Sequence, residues 1–176
     1  ERVRTELGSD NTEATDVAWL ASHIGDTYTQ AEYAAAALRD RLAYVDGVGV
    51  LMYTPPCGLW GAVHESMALN CIADVIRTWY QGALLTGDND LIKKVSKLRH
   101  VSGPRAIAAH LPAMLSIPAD AFDANPELLC TPNGVVDLRT GKLMPHDPKY
   151  LMTKRTNAPY MPGATHPAWD KALEAL

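Results

Sequence analysis

The residues best suited to chemistry with an anion lie in one strongly basic stretch, residues 91–119. This stretch contains five Lys or Arg residues and two His residues, and it contains no acidic residue. On a helical projection most of its cations fall opposite the apolar side chains, so a helix docked by its apolar side would expose them to the phosphates of a nucleic acid. The candidate phosphate-binding residues are Lys93, Lys94, Lys97, Arg99, His100 and Arg105.

The same basic stretch has a simpler interpretation as a solvated helix face. No aromatic residue lies between residues 91 and 119, so the sequence does not indicate a platform on which bases stack. Arg105 falls in the first turn of the next predicted helix, where free backbone N–H groups also favour anions.

Other catalytic and metal-binding patterns are weak. The six histidines show neither the H-E-x-x-H nor the C-x-x-C context of a zinc site, so no metal is expected. Asp137, His146 and Asp147 could suit a small metal-dependent nuclease or hydrolase, although turn and solvation roles are favoured. Gly141-Lys142 mimics part of a P-loop, but the glycine required five residues earlier and the Ser or Thr required after the lysine are both missing.

The sequence pattern predicts that these residues are positioned by an α+β fold, with a mainly helical body of four to five helices. A capping box of Thr29 and Glu32 is expected to begin the helix Thr29–Leu42. Ser102 is the expected N-cap of the helix Gly103–Leu115. Small antiparallel β-hairpins are predicted near 48–61 and 128–144, the first with a proline-rich turn. The predicted helices are Asp16–Ile24, Thr29–Leu42, Glu65–Gln81, Asn89–His100 and Gly103–Leu115, with a final helix opened by Pro167.

The organisation of the chain follows from its composition. Residues 1–14 are polar and predict a linker or disordered lead-in, and 15–176 predict a single domain. The chain begins at Glu1 and ends within a predicted helix, which favours a piece of a larger protein. Residues 1–90 hold 13 acids and 5 bases, whereas 91–176 hold 7 acids and 11 bases, so an anionic partner is expected to bind the second half. No apolar run reaches the roughly 18 residues of a membrane span.

One segment goes beyond these general patterns. Residues 123–169 resemble the domain that precedes the superfamily-three helicase motor in phage and plasmid primase–helicases and in the poxvirus primase–helicase. The resemblance covers roughly 27–176, although the turn before Trp60 is longer and richer in proline than usual. Its motif residues are Leu128-Leu129, Asn133-Gly134-Val135-Val136-Asp137-Leu138, Thr140-Gly141, Leu143, Pro145-His146, a threonine-bearing strand at Tyr150–Thr153, Pro167, Trp169 and the earlier Gly58-Leu59-Trp60.

This resemblance implies a role in DNA replication in the cytoplasm of a bacterial host cell. The parent protein would unwind DNA as a ring, usually a hexamer, with ATP and Mg bound in a motor that lies beyond residue 176. The fragment itself would be non-catalytic and hold no cofactor, since the resemblance offers no catalytic residue. Its expected partners are single-stranded or forked DNA, the downstream helicase module and further copies of the chain, and no membrane. An oligomerisation collar without DNA contact is the alternative.

Overall fold

The computed structural model describes residues 24–174. The predicted lead-in over 1–14 and all but the last residue of the predicted helix Asp16–Ile24 lie outside the described residues. The predicted α+β class, with a helical body and small antiparallel hairpins, is confirmed. Within residues 24–174 the elements are α1 Thr27–Leu38, β1 Leu42–Val45, β2 Gly49–Thr54, β3 Leu59–Ala62, α2 Glu65–Thr86, α3 Asn89–Leu98, α4 Ser102–Ala108, α5 Leu111–Met114, β4 Leu128–Thr131, β5 Gly134–Asp137, β6 Lys142–Met144 and α6 Pro167–Glu174, with short 3-10 turns at Ala119–Ala121 and Pro148–Tyr150.

The chain divides into two compact units. The N-terminal unit comprises the described residues up to Tyr53 together with Gly61–Ala121, and the C-terminal unit comprises Thr54–Trp60 together with the chain from Phe122. Residues 54–60, which comprise the turn between β2 and β3 and the adjoining strand residues, thus belong to the C-terminal unit, and we call them the hairpin tip. The single domain predicted over 15–176 stays a prediction.

Helix α1 begins at Thr27, two residues earlier than predicted, and the predicted capping box is wrong. Asp26 is the N-cap, and its carboxylate accepts a hydrogen bond from the backbone N–H of Tyr28 (2.9 Å). Thr29 lies inside the helix and donates its hydroxyl hydrogen to Asp26 (2.6 Å). The helix also ends at Leu38 rather than Leu42, because Leu42 begins strand β1, which pairs antiparallel with β2.

The core of the N-terminal unit is built on α2, which extends five residues beyond its predicted end at Gln81. His64 caps the helix through its ring Nδ1, and Gly87 ends it in the left-handed conformation. One face of α2 packs against α1 and against the helices that follow. The fully buried side chains of this core include Leu38, Leu42, Ile72, Ile76, Val95, Ile107 and Leu111.

The predicted helix Gly103–Leu115 is two helices, α4 and α5. Pro112 has no N–H to donate to the carbonyl of Ala108, and its ring would clash with that carbonyl, so one continuous helix cannot form. The predicted N-cap is also wrong. Val101 precedes α4 as its N-cap and forms no side-chain capping bond, whereas Ser102 is already the first helical residue.

The sheet of the C-terminal unit follows the prediction closely. Its strands β4, β5 and β6 pair antiparallel in that order, with Cys130 opposite Val135 and Val135 opposite Met144. These three residues lie on one face, and with Met152 they form a small second core.

The predicted threonine-bearing strand at Tyr150–Thr153 is wrong. A 3-10 turn ends at Tyr150, and Leu151 has a left-handed backbone (φ 51°) that is incompatible with a strand. The backbone N–H and hydroxyl of Thr153 donate instead to the carboxylate of Asp123. The final helix α6 begins at Pro167 as predicted, and the side chains of Trp169 and Leu173 lie outside the described part.

Candidate nucleic-acid interface

Helix α3 presents three lysines on one exposed face. Asp88 caps the helix by accepting hydrogen bonds from two backbone N–H groups, those of Asp90 (2.9 Å) and Leu91 (3.1 Å). Leu91 and Val95 are buried on the opposite side, which confirms the predicted amphipathic orientation. The resulting exposed surface, which we call the lysine face, consists of Lys93, Lys94 and Lys97.

The lysine face has no acidic counterpart in the described chain. The ion pairs found within residues 24–174 join Asp74 to Arg77, Glu127 to Arg139 and Asp123 to Lys154. None of these pairs involves α3, and Asp90, which lies one turn before Lys93 and Lys94 on the same helix, forms no ion pair with either lysine. The three ammonium groups are therefore open to an external anion. Lys97, in the last turn, also interacts favourably with the negative end of the helix dipole.

Arg99 and His100 follow α3 directly and are exposed. The backbone N–H of Arg99 donates to the carbonyl of Ser96 (3.2 Å), and that of His100 donates to the carbonyl of Lys97 (3.4 Å). Both residues thus continue the final turn of α3, next to the lysine face. The structure brings five of the six predicted residues together on this helix and its C-terminal end.

Sequence reasoning missed the residue that supports Arg99. The guanidinium carbon of Arg99 lies over the ring of Tyr80, 4.4 Å from the ring centroid. Tyr80 belongs to α2 and lies 19 positions earlier in the chain, so no spacing within 91–119 could reveal the contact. An arginine that rests on an aromatic ring gains a cation–π interaction of about 0.5–1 kcal/mol at an exposed site.

Arg105 occupies a different setting. It is exposed on α4 and lines an open groove of about 550 Å3, to which the lysine face does not contribute. Glu65 lies in the same groove and supplies a negative charge. Burial, and then the charge of Glu65, raise the pKa of the Tyr44 hydroxyl on the groove wall. The other lining residues are His64, Ser66, Leu69, Ala108, Ala109 and Pro112.

Gly58 and Trp60, two motif residues of the hairpin tip, serve the fold of the C-terminal unit. A Cβ atom at Gly58 would lie 2.3 Å from the His146 ring, so a side chain would clash there. Gly58 also has a positive φ (69°), which glycine adopts more easily than other residues. Trp60 is only 3% exposed, so its ring packs inside the fold. Its indole N–H donates to the carbonyl of Pro148 (2.9 Å), and its ring meets Phe122 edge to face.

The three residues of the nuclease alternative also have structural partners. The backbone N–H of Arg139 (2.8 Å), aided by Thr140, holds the pKa of the Asp137 carboxyl below its ordinary value. His146 donates from Nε2 to the carbonyl of Thr131 (2.9 Å). Asp147 caps the 3-10 turn that follows it. Among the described residues, no group of three or more His, Cys, Asp or Glu side chains is placed to hold a metal ion.

The fold is thus of the α+β class, motif residues maintain its second sheet, and five of the six predicted phosphate-binding residues lie on α3 and its C-terminal end. The family model described as "D5 N terminal like" matches residues 26–175. The chain belongs to this family, the N-terminal domain of D5-type primase–helicases of phages and poxviruses, which are proteins of DNA replication. A search of curated proteins finds no match. Over the part that the structure describes, no helix is both long and apolar enough to cross a membrane.

Proposed function

We propose that this chain is a non-catalytic accessory domain of a phage or mobile-element replicative primase–helicase. It links the primase to the superfamily-three helicase module, in the cytoplasm of the bacterial host, and it binds single-stranded or forked DNA through the lysine face. The observation that supports this proposal is the set of three exposed ammonium groups on α3, none of which is paired with an acid within residues 24–174.

The lysine face suits a phosphate backbone because its charges are close together on a rigid helix. Lys93 and Lys97 are one turn apart, and Lys94 is three residues from Lys97, so the three ammonium groups can contact neighbouring phosphates. Each phosphate neutralised on a single strand releases about 0.7 counterion. Three contacts therefore give a slope of about −2 when the logarithm of the binding constant is plotted against that of the salt concentration.

The test is DNA binding by fluorescence anisotropy over a range of salt, with labelled single-stranded and forked DNA. Reversing two charges, by Lys93→Glu with Lys97→Glu, should weaken binding and reduce the magnitude of the slope by about 1.4 on a single strand. The matched control is Lys142→Glu with Lys149→Glu, which makes the same charge change at two exposed lysines of the C-terminal unit. If wild type and the α3 variant bind DNA equally well, the lysine face is only a solvated surface and the proposed DNA contact is rejected.

The same proposal assigns ATP and Mg to the motor of the parent protein and not to this chain. The purified chain should show no ATP turnover, with or without DNA. Turnover that persists through further purification and follows the protein through gel filtration would contradict the non-catalytic assignment.

A second candidate function is an oligomerisation collar that helps to assemble a hexameric ring. Two leucines near the C-terminal end of α2 favour it, since Leu84 is 49% exposed and Leu85 is 89% exposed. Sedimentation of the chain alone and joined to the downstream helicase module would test it. Leu85→Lys should shift the assembly toward monomers, and a monomer in both forms of the wild type would reject the collar.

A further inference from the structure

We propose that Tyr80 is a positioning residue that holds Arg99 ready for a DNA phosphate, so that this surface binds the sugar–phosphate backbone and not the bases. The inference rests on the proposed function, since it requires that the lysine face binds DNA. It adds a residue that lies outside the basic stretch and a substrate class defined by the backbone alone.

The ring of Tyr80 is a firm support for the guanidinium. Tyr80 lies within the 22-residue helix α2, is half-buried, and packs against the core of the N-terminal unit. Arg99 is held at its backbone by the last turn of α3 and at its side chain by the ring, 4.4 Å from the guanidinium carbon. The guanidinium thus already rests on the ring before any ligand arrives, through an interaction of about 0.5–1 kcal/mol.

A guanidinium that rests on a ring keeps its hydrogen-bonding capacity. Its N–H groups lie in the plane of the group, so a contact through one face leaves them available to phosphate oxygens. A long side chain that is already ordered also loses less conformational entropy on binding than a mobile one. Arg99 therefore gives the lysine face one pre-ordered phosphate ligand beside three flexible ones.

The same contact occupies one face of the Tyr80 ring, so this ring is not a free platform for a base beside the lysine face. A base can stack on a ring only where the face of the ring is open, and Arg99 lies over Tyr80. The lysine side chains offer no flat surface on which a base could stack. The geometry thus favours recognition of the phosphate charge.

The experiment compares two single strands of about 20 nucleotides, oligo-dT and an abasic strand with the same sugar–phosphate backbone. Wild type should bind both strands with affinities within about two-fold. Stacking of even one base would instead weaken binding of the abasic strand about five-fold or more, and that result would overturn the backbone assignment.

Four variants test the role of Tyr80 on the oligo-dT strand. Tyr80→Leu should weaken binding by about two- to five-fold without changing the salt slope, because the arginine is still present but no longer held. Arg99→Gln should weaken binding and reduce the slope by about 0.7. The double variant should bind no more weakly than Arg99→Gln, and Tyr80→Phe should bind like wild type because it keeps the ring.

The outcomes separate this inference from the proposed function. If the reversal of Lys93 and Lys97 leaves binding unchanged, the proposed function fails and the inference fails with it. If that reversal weakens binding while Tyr80→Leu does not, the lysine face binds DNA and only the positioning role is rejected. A loss with Tyr80→Leu that persists in the Arg99→Gln background shows a structural effect and also rejects the positioning role.

Discussion

The turn between α3 and α4 depends on Gly103 lacking a side chain. An alanine at this position would place its Cβ 2.1 Å from the carbonyl oxygen of Leu98 and 2.7 Å from its carbonyl carbon. Both atoms belong to the backbone of α3, so they cannot rotate away as a flexible side chain could. We therefore expect Gly103→Ala to destabilise the N-terminal unit through a steric clash.

The size of this effect follows from the geometry. Ordinary van der Waals contact begins at 3.4 Å, so the two helices must separate locally by about 1.3 Å to accept the methyl group. Overpacking costs about 1–3 kcal/mol, and this clash falls in the upper part of that range, about 2–3 kcal/mol, because the clashing atoms are backbone atoms. The better helix propensity of alanine recovers about 1 kcal/mol. A net loss of about 1–2 kcal/mol in the free energy of unfolding should lower Tm by roughly 2–8 °C in a chain of this size.

Thermal and urea unfolding of wild type and Gly103→Ala would measure this loss. Gly61→Ala is the matched control, because Gly61 has no heavy atom within 4 Å of its Cβ position. The control should change Tm little. If Gly103→Ala unfolds at or above the wild-type temperature, the tight approach of α3 and α4 is refuted.

Two further predictions concern acid stability and thiol reactivity. The carboxyl of Asp137 has a lowered pKa because of the N–H of Arg139, so its contribution to stability is present above the ordinary aspartate pKa and is lost as the pH falls through the lowered value. The Asp137→Asn variant should therefore have a lower Tm than wild type at neutral pH. Its Tm should also fall less than that of wild type as the pH is lowered through this acidic range. A thiol reagent at about pH 8 should label Cys57 first, because burial shields Cys71 and Cys130 and raises the pKa of both thiols.

Each of these two predictions has a direct control. Asp46→Asn removes an exposed carboxylate that forms no hydrogen bond among the described residues, and it should leave the acid loss of stability as in wild type. An unchanged acid profile for the Asp137 variant would refute the linkage argument. In denaturant all three cysteines should react at similar rates, and similar rates in the native protein would contradict the burial of two of them.

The sequence predicted best where local signals were strong. The strands around Asn133-Gly134 and Thr140-Gly141 lie within one residue of their expected positions, because glycine-containing turns fix where each strand must end. The lysine face was predicted because Leu91 and Val95 repeat with helical spacing on the opposite side. In both cases the deciding interactions lie within a few residues of one another.

The rest depends on contacts that are distant in the chain. Leu42 continues the apolar stripe of α1 after Leu38, so hydrophobic spacing could not show that it begins a strand. The contact of Arg99 with Tyr80 is set by the packing of α3 on α2, which no local pattern records. The split of the predicted helix at Pro112 follows a known local rule, and there the expectation gave too little weight to proline.

The hairpin tip has a practical consequence for dissecting this domain. The chain passes from one unit to the other three times, after Tyr53, Trp60 and Ala121. A single cut after Ala121 would leave the tip on the wrong fragment, and the remaining piece would lack the indole that bonds Pro148. The two units are therefore interleaved in sequence, and truncation cannot isolate the C-terminal one. To isolate the N-terminal unit, the hairpin tip would have to be replaced by a short Asn-Gly turn. To isolate the C-terminal unit, the hairpin tip would have to be supplied as a separate peptide.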